Sequence, residues 1–133
     1  MGKLRTIIVD DEPLAVKFLR AMLSDIEEIE IVEECCNGRE AVKAAAALNP
    51  DLIFLDIQMP GMNGFEVVKA LQSDVMPVII FVTAYDQFAM DAFDVHAVDY
   101  VLKPLDRERI GRAVERANIR ICGSAESDIK SPL

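Results

Sequence analysis

The chain has no tryptophan, one histidine and only three cysteines among its 133 residues. A single His96 and three cysteines without C-x-x-C spacing do not make a His/Cys zinc site, so we expect reduced thiols and a histidine in a surface loop. Basic residues are also scarce. The chain has 14 basic and 23 acidic residues, which gives a net charge of −9. That charge repels nucleic-acid phosphates and anionic lipid, so we expect no direct nucleic-acid binding by this chain.

Long hydrophobic runs are absent as well. No apolar stretch approaches the roughly 18 residues that a membrane-spanning helix needs. The basic start at 3–5 is followed by a short strand-like run and then by acids, which does not fit a signal peptide. We therefore expect a cytoplasmic protein without membrane contact, and the length fits one domain.

Apolar patterns along the chain predict five strands alternating with five helices. The strands are predicted at 4–9, 29–32, 52–55, 78–82 and 98–102, and the helices at 14–23, 38–48, 65–71, 86–93 and from an N-cap at Asp106. The first and fourth helical stripes comprise Leu14, Ala15, Phe18, Leu19, Met22 and Leu23, and Phe88, Ala89, Ala92 and Phe93. Strict alternation predicts an α/β fold with a doubly wound, five-stranded parallel sheet. We expect one domain at 1–122 and a flexible tail or truncated linker at 123–133, where the composition becomes polar.

The stretch LIFLDIQMPGMNG at 52–64 places a carboxylate at the end of a strand. Leu52–Leu55 shows no polar alternation, which is typical of a strand buried on both faces. Asp56 follows directly, and Pro60 and Gly61 then prevent regular structure. A single aspartate opening a turn is an ordinary feature. In an open α/β sheet, however, ligands bind beyond the carboxyl ends of the strands, so Asp56 is a candidate site residue.

Other polar residues fall at equivalent positions. Asp10 and Asp11 follow the first predicted strand, Thr83 ends the fourth, and Lys103 follows the fifth. Because parallel strands end at one edge of the sheet, we expect these side chains to converge with Asp56 in one crevice. Each has an ordinary explanation alone, such as a solvated turn or a surface lysine, but five at strand ends favour a site.

These residues stand in motifs that resemble those of the response-regulator receiver domain. The motifs are DDE at 10–12, FLDIQMPGMNG at 54–64, TAY at 83–85 and DYVLKP at 99–104, and the resemblance covers about 4–121. It implies a flavodoxin-like, CheY-like fold. The stretch TAYDQFAMDAFDVHAVDYVLKP resembles further the receivers of the LytTR class of transcription regulators.

The resemblance implies that Asp56 accepts a phosphoryl group from a histidine kinase, as a phosphoacceptor that assists its own phosphorylation and dephosphorylation. It implies Mg²⁺ held by Asp11 and Asp56 directly, by the backbone carbonyl of Gln58, and by Asp10 largely through water. Hard carboxylate oxygens suit this ion, which keeps several waters. An anion that attacks an anion needs such charge neutralisation.

The remaining motif residues receive roles by the same resemblance. Lys103 is expected to place its ammonium against the phosphoryl oxygens, with the Lys103–Pro104 bond cis, and Thr83 to donate its hydroxyl. Tyr100 matches the switch aromatic that rearranges the face of the fourth helix, fifth strand and fifth helix, through which a homodimer is possible. Gln58 and Tyr85 match positions that tune the phosphoryl lifetime. A half-buried strand tyrosine and ordinary strand propensity explain Tyr100 and Thr83 without function.

Three alternatives remain open at this point. A dehalogenase-like phosphatase uses an aspartate nucleophile with Mg²⁺, but needs a second acid where this chain has Gln58. A flavodoxin-like cofactor carrier needs a Ser/Thr/Gly-rich phosphate loop where this chain has Asp10 and Asp11. Within the receiver resemblance, the chain is either the N-terminal part of a transcription regulator whose C-terminal DNA-binding domain is absent here, or a stand-alone receiver that acts by protein contacts.

Overall fold

Five strands alternate with five helices in the computed structural model, which describes residues 3–71 and 76–130. The strands are β1 (Leu4–Val9), β2 (Ile29–Cys35), β3 (Leu52–Leu55), β4 (Val78–Thr83) and β5 (Asp99–Leu102). The helices are α1 (Pro13–Ser24), α2 (Gly38–Leu48), α3 (Gly64–Ala70), α4 (Ala89–Asp94) and α5 (Arg107–Lys130). All strand pairs are parallel, in the order β2-β1-β3-β4-β5. The predicted α/β class with a five-stranded parallel sheet is confirmed.

The sheet has a hydrophobic layer on each face. One layer packs the sheet against α1 and α5, and includes Leu23, Phe54 and Ile110. The other packs it against α2, α3 and α4, and includes Val67 and Phe81. Each such buried side chain stabilises the fold by about 1.5–3 kcal/mol relative to exposure. The continuous apolar runs of the inner strands are therefore explained by burial on both faces.

Several predicted boundaries were wrong by a few residues. β2 runs to Cys35, where the sequence predicted an end at 32, and α3 begins at Gly64, one residue early. The start of α4 differs by as much as the end of β2, because α4 was predicted from 86 and begins at Ala89. The residue before it, Phe88, makes no side-chain cap bond. Without a capping side chain, no residue in the sequence marks this start.

Four residues of the predicted helical stripes are exposed, although such a stripe was expected to pack on the sheet. Leu14 and Phe18 of α1 are 65% and 58% exposed, Phe93 of α4 is 79% exposed, and Ala89 of α4 is also exposed. In α1 the buried residues are Leu19 and Leu23. The apolar surface of each helix is thus wider than the area that the sheet covers, so part of it faces solvent.

The predicted N-cap of α5 is confirmed, because the Arg109 amide donates to Asp106 Oδ1 at 3.1 Å. α5 continues to Lys130, into the segment that the sequence predicted as a flexible tail or truncated linker, and that prediction stays a prediction. The boundary at 122 stays a prediction, and residues 131–133 lie outside the described part. In the described residues, no helix is long and apolar enough to cross a membrane.

Candidate functional site

Three aspartates converge at the carboxyl ends of β1 and β3. Carboxylate oxygens of Asp10, Asp11 and Asp56 all lie within 4.8 Å of one another, and we call this cluster the acid pocket. Asp10 and Asp56 are buried, and Asp11 is half-buried. The Asp56 amide donates to the Val9 carbonyl at 3.0 Å, which fixes the end of β3 beside the end of β1. The predicted convergence of these acids is confirmed.

The loop after Asp56 is built to hold that carboxylate in place. The Ile57 amide donates to Asp56 Oδ1 at 2.7 Å. The Gly64 amide then returns to the Ile57 carbonyl at 2.9 Å, at the start of α3. Asn63 and Glu66 form a reciprocal capping box at this helix, with both bonds at 2.9 Å. The capped helix therefore anchors the far end of the loop.

Gly64 is required because two backbone segments touch there. A Cβ atom at this position would lie 2.6 Å from the Asp56 carbonyl oxygen and 3.0 Å from Ile57 Cα. Neither backbone atom can move without moving the carboxylate. The close approach of α3 thus depends on the missing side chain.

Lys103 supplies the one ammonium that reaches the pocket in the described structure. Its Nζ lies 2.9 Å from Asp10 Oδ2, 3.4 Å from Asp56 Oδ2 and 3.2 Å from Glu12 Oε1. The lysine side chain is only 17% exposed. The peptide bond to Pro104 is cis, as the sequence predicted. The contact with Glu12 was not predicted from the sequence.

The electrostatics of the pocket leave excess negative charge. Burial and the neighbouring Asp10 carboxylate raise the pKa of Asp56, and Lys103 opposes this rise. Burial alone would lower the pKa of Lys103, but its bond to Asp10 and the charge of Asp56 raise it overall. One ammonium therefore stays charged among several carboxylates. Hard oxygen donors with unneutralised charge are the donor set that Mg²⁺ prefers.

Thr83 ends β4 beside the pocket and is fully buried. A hydrogen bond from its side chain contributes to lowering the pKa of Asp56. Its Oγ1 also accepts from the Tyr85 amide at 3.4 Å, and its carbonyl accepts from the Lys103 amide at 2.8 Å. The structure therefore brings Thr83 and Lys103 together with Asp56, as predicted. The predicted ligand role of the Gln58 carbonyl stays a prediction.

The two tyrosines lie beside the pocket and are linked to each other. The Tyr100 hydroxyl donates to the Tyr85 carbonyl, and its ring centroid lies 6.5 Å from that of Phe81. Tyr85 is 44% exposed, and its ring packs edge-on against Phe88 at 6.3 Å. Since the Tyr85 amide also bonds Thr83, one loop residue connects the Tyr100 hydroxyl to the Thr83 hydroxyl at the pocket.

The single histidine and the cysteines take no part in this arrangement. His96 is exposed in the turn before β5, where its φ of 63° is left-handed. Burial raises the pKa of Cys35 to about 12. A hydrogen bond to Glu40 raises the pKa of the exposed Cys36. Both thiols are therefore protonated at neutral pH, and Cys35, Cys36 and Cys122 are all free cysteines.

An apolar groove borders the acid pocket, and sequence analysis did not identify it. We call it the α1 groove; its lining includes Leu14, Ala15 and Phe18 of α1 together with Pro104 and Leu105. Glu12 and Lys103, which contact each other at the pocket, also line it. The apolar residues of α1 were recognised as a helical stripe, but helical periodicity does not show that Leu14 and Phe18 are exposed.

Comparison with known proteins gives one consistent result. Residues 6–115 match the response regulator receiver domain family. The transcriptional regulatory protein BtsR of Escherichia coli is 47% identical over 113 residues, which cover 85% of this chain and 47% of BtsR. The chain thus spans about half the length of the curated relatives it matches.

Solved structures agree with this match. The response regulatory domain of mrkE from Klebsiella pneumoniae superposes with a TM-score of 0.82 at 32% identity, covering 88% of this chain and 97% of that domain. A chain of the CheX–CheY–BeF₃–Mg²⁺ complex from Borrelia burgdorferi superposes with a TM-score of 0.76 at 29% identity. The match covers 85% of this chain and 87% of that chain.

Proposed function

Because the chain belongs to the response regulator receiver domain family, we propose that it is the phosphorylation-activated switch of a two-component system and that a histidine kinase phosphorylates Asp56. The observation that carries this proposal is the acid pocket with its ammonium. Three carboxylates lie within 4.8 Å, and Lys103 Nζ lies 3.4 Å from Asp56. Buried like charges are costly for stability, so their concentration at one sheet edge favours a chemical role.

Asp56 is the nucleophile of the proposed reaction. One carboxylate oxygen attacks the phosphorus of a phosphohistidine, and the phosphorus–nitrogen bond breaks. The histidine nitrogen leaves with the bonding electron pair and takes a proton from solvent. The product is an acyl phosphate on Asp56, whose added charge faces the Lys103 ammonium. The Ile57 amide holds the carboxylate by its other oxygen.

Mg²⁺ fits the donor set of the pocket. Asp11 and Asp56 would bind it directly, Asp10 largely through water, and the Gln58 carbonyl would be a third ligand. The bound ion supplies positive charge to the transferring phosphoryl oxygens. Receiver domains generally bind Mg²⁺ through such acidic residues, and the cluster of aspartates here supports the same role.

The proposed switch uses Thr83, Tyr85 and Tyr100. The Thr83 hydroxyl turns to the phosphoryl group and gives up its contact with the Tyr85 amide. That movement shifts the Tyr85 peptide, whose carbonyl holds the Tyr100 hydroxyl. Moving a population from 1:99 to 99:1 needs about 5.5 kcal/mol of differential binding. Charge-assisted bonds of one phosphoryl group are of that order when several form together.

A protein donor must approach Asp56 from the open edge of the sheet, and we propose that the kinase packs on the α1 groove. The groove shares Glu12 and Lys103 with the surroundings of the pocket. Its exposed Leu14 and Phe18 offer apolar contact without a cost to the core. A donor helix lying there would place its histidine beside the carboxylate.

We propose that the output is transcriptional and is delivered by a C-terminal DNA-binding domain outside this chain, of the LytTR class. The net charge of −9 disfavours DNA binding by these residues themselves. BtsR is named a transcriptional regulatory protein, and this chain covers 47% of it. Both observations support a regulator in which the receiver is one half.

We propose that phosphorylation favours a homodimer through the face of α4, β5 and α5. Met90 and Phe93 of α4 are 77% and 79% exposed, which makes an apolar contact at this face. Helix α4 adds acidic Asp91 and Asp94, whereas α5 exposes the basic Arg120, which lines the same cavity as Asp94. In a two-fold arrangement the acidic helix of one copy would meet the basic helix of the other.

The thermal midpoint tests the central proposal. In wild type it should rise with Mg²⁺ and rise further with beryllofluoride, a phosphoryl mimic, because both bind only the folded pocket. Asp56→Asn should abolish the second rise, and Asp86→Asn, an exposed control, should keep it. A full beryllofluoride rise in Asp56→Asn would show that Asp56 is not the acceptor.

Sedimentation tests the dimer separately. Wild type should associate with beryllofluoride, whereas Phe93→Ser should bind the mimic and remain monomeric. Phe18→Ser, an exposed phenylalanine of α1 outside the proposed interface, is the matched control. A wild type that stays monomeric at high concentration in both states removes the dimer proposal and leaves a receiver that acts by contacts with other proteins.

A further inference from the structure

A second buried carboxylate lies at the start of β5, outside the acid pocket. The Asp99 side chain is 5% exposed, and Arg109 of α5 grips it with two bonds. Arg109 Nη1 lies 2.8 Å from Asp99 Oδ2, and Nη2 lies 2.7 Å from Oδ1. Arg116 approaches the same carboxylate at 3.2 Å from a more exposed position. The planar fork of Arg109 therefore makes the specific contact.

The same two residues also bind the backbone of Tyr100. The Tyr100 amide donates to Asp99 Oδ1 at 2.8 Å, and its carbonyl accepts from Arg109 Nη2 at 3.1 Å. β5 is the edge strand and pairs with β4 alone. The side chains of Asp99 and Arg109 therefore bind the Tyr100 amide and carbonyl on the side of β5 that pairs with no further strand.

Tyr100 is thus held at both ends. Its hydroxyl is bound by the Tyr85 carbonyl in the loop after β4, and its backbone is bound by Arg109 on α5. Lys103 follows three residues later on the same strand and reaches Asp56. The position of the β5 backbone at Tyr100 therefore determines the direction of the Tyr100 ring and of the Lys103 ammonium.

We propose that Arg109 is a positioning residue that fixes the β5 backbone at Tyr100 and transmits a change at this strand to α5. The transmission to α5 rests on the proposed switch role of Tyr100. The backbone anchoring does not depend on it. Arg109 touches neither the phosphoacceptor nor Lys103, so it acts through Tyr100.

A buried ion pair alone would not need this arrangement. Well-packed apolar residues often replace such pairs without loss of stability. Here each partner makes an additional bond to the Tyr100 peptide, which an apolar pair cannot supply. The bond from Arg109 holds the pKa of Asp99 below its usual value, although burial acts in the opposite direction. The anchor is therefore charged at neutral pH.

Three variants separate anchoring from general charge. Arg109→Gln removes the fork and the cation. Arg109→Lys keeps the cation but loses the planar fork. Arg116→Gln is the matched control, because it removes a cation from the same carboxylate without a contact to the Tyr100 backbone.

Amide exchange, followed by NMR in protein without metal, measures the anchor directly. We expect the Tyr100 amide to exchange about tenfold faster or more in Arg109→Gln, because its acceptor Asp99 loses the fork that holds it and the Tyr100 carbonyl loses its donor. Arg109→Lys should fall between this variant and wild type, and Arg116→Gln should match wild type. Exchange at Tyr100 unchanged in Arg109→Gln would overturn the proposal. If that variant does not fold, Arg109→Lys with wild-type exchange overturns it instead.

The coupling is measured in the same samples with Mg²⁺ and beryllofluoride. Wild type and Arg116→Gln should show mimic-induced shifts at Tyr100 and in the first turns of α5. Arg109→Gln should bind the mimic within about threefold of wild type and lose the α5 shifts. Persistent α5 shifts in Arg109→Gln would refute the coupling. A wild type that ignores the mimic would refute the proposed function, and the exchange rates would still decide the anchor.

Discussion

The ammonium of Lys103 lies 2.9 Å from a carboxylate oxygen of Asp10, which precedes it by 93 residues. This contact joins the residues that follow β1 and β5, the first and last strands along the chain, across the acid pocket. Asp56 lies between them, at 3.4 Å from the same nitrogen. Lys103 thus neutralises part of the charge that the proposed Mg²⁺ would otherwise neutralise, and the two cations would compete for the same carboxylates.

Replacement of this lysine separates its two effects. We expect Lys103→Gln to lower the free energy of unfolding by about 1–3 kcal/mol without metal, because buried carboxylates lose a charged partner. The same change should tighten Mg²⁺ binding, since a competing positive charge is gone. Denaturation in EDTA and a Mg²⁺ titration measure both quantities. Lys17→Gln, on the exposed side of α1, should change neither. Weaker Mg²⁺ binding in Lys103→Gln would contradict competition between Lys103 and Mg²⁺ for these carboxylates.

The pKa of Asp56 gives the pH dependence a definite sign. Burial and Asp10 raise it above the unfolded value, so ionised Asp56 destabilises the folded state without metal. The penalty is absent well below the unfolded pKa, grows as the pH rises through the raised pKa, and is constant above it. We expect Asp56→Asn to be more stable than wild type at pH 7 by about 1 kcal/mol, or roughly 3–6 °C.

Melting curves of both proteins across pH 3–8 provide the check. The difference between them should shrink on acidification and also on addition of Mg²⁺ at pH 7. A variant less stable than wild type at neutral pH in EDTA would mean that Lys103 outweighs burial. Asp86→Asn, exposed and outside the pocket, serves as the control.

Two glycines give a matched pair of alanine substitutions. Gly64→Ala places a Cβ 2.6 Å from the Asp56 carbonyl, whereas at Gly111 nothing lies within 4 Å. We expect Gly64→Ala to lose about 1–3 kcal/mol through forced backbone movement and to weaken Mg²⁺ binding. Gly111→Ala should gain about 0.5–1 kcal/mol from helix propensity. Urea denaturation and Mg²⁺ titration measure both. Wild-type Mg²⁺ affinity in Gly64→Ala would show that the loop tolerates the contact.

Helix α1 offers a test of which apolar residues form the core. Leu19 is 4% exposed and Phe18 is 58% exposed, although both belong to the predicted stripe. We expect Leu19→Ala to lose about 2–5 kcal/mol of stability and Phe18→Ala to change it by less than about 0.5 kcal/mol. Urea unfolding gives both values. Equal losses would mean that Phe18 is buried in solution and is not available to a partner.

The sequence predicted the sheet and the pocket well for a physical reason. Inner strands of a parallel sheet are buried on both faces, so β3 and β4 appear as unbroken apolar runs. The polar residue that ends such a run must then lie at the carboxyl edge, as Asp56 does. Fold class and the position of Asp56 follow from these two facts, and Lys103 was placed in the same way by its position after the edge strand β5.

Other features could not be read from the sequence because they depend on neighbours in space. Helical periodicity marks Phe18 as apolar but does not tell whether the sheet covers it. The start of α4 lacks a capping side chain, so nothing at Phe88 marks it. Arg109 looks like a solvated helix residue, and only its distance to Asp99 reveals the anchor.

The last prediction concerns the lifetime of the acyl phosphate. Tyr85 stands two residues after Thr83 and is 44% exposed, with its ring held edge-on by Phe88. We propose that a bulky ring at this position shields the phosphoryl group from attacking water. We therefore expect Tyr85→Ala to dephosphorylate faster than wild type, by about two- to tenfold. Loss of phosphoprotein after removal of a small-molecule donor measures the rate.

The contact between the two tyrosines makes this experiment interpretable. Tyr100 bonds the backbone carbonyl of Tyr85, so a change of the Tyr85 side chain leaves that acceptor in place. Tyr85→Phe keeps the ring and should match wild type, which isolates shielding from any role of the hydroxyl. If Tyr85→Ala decays as slowly as wild type, the ring does not guard the phosphate. Faster decay in both variants would instead assign the effect to the Tyr85 hydroxyl.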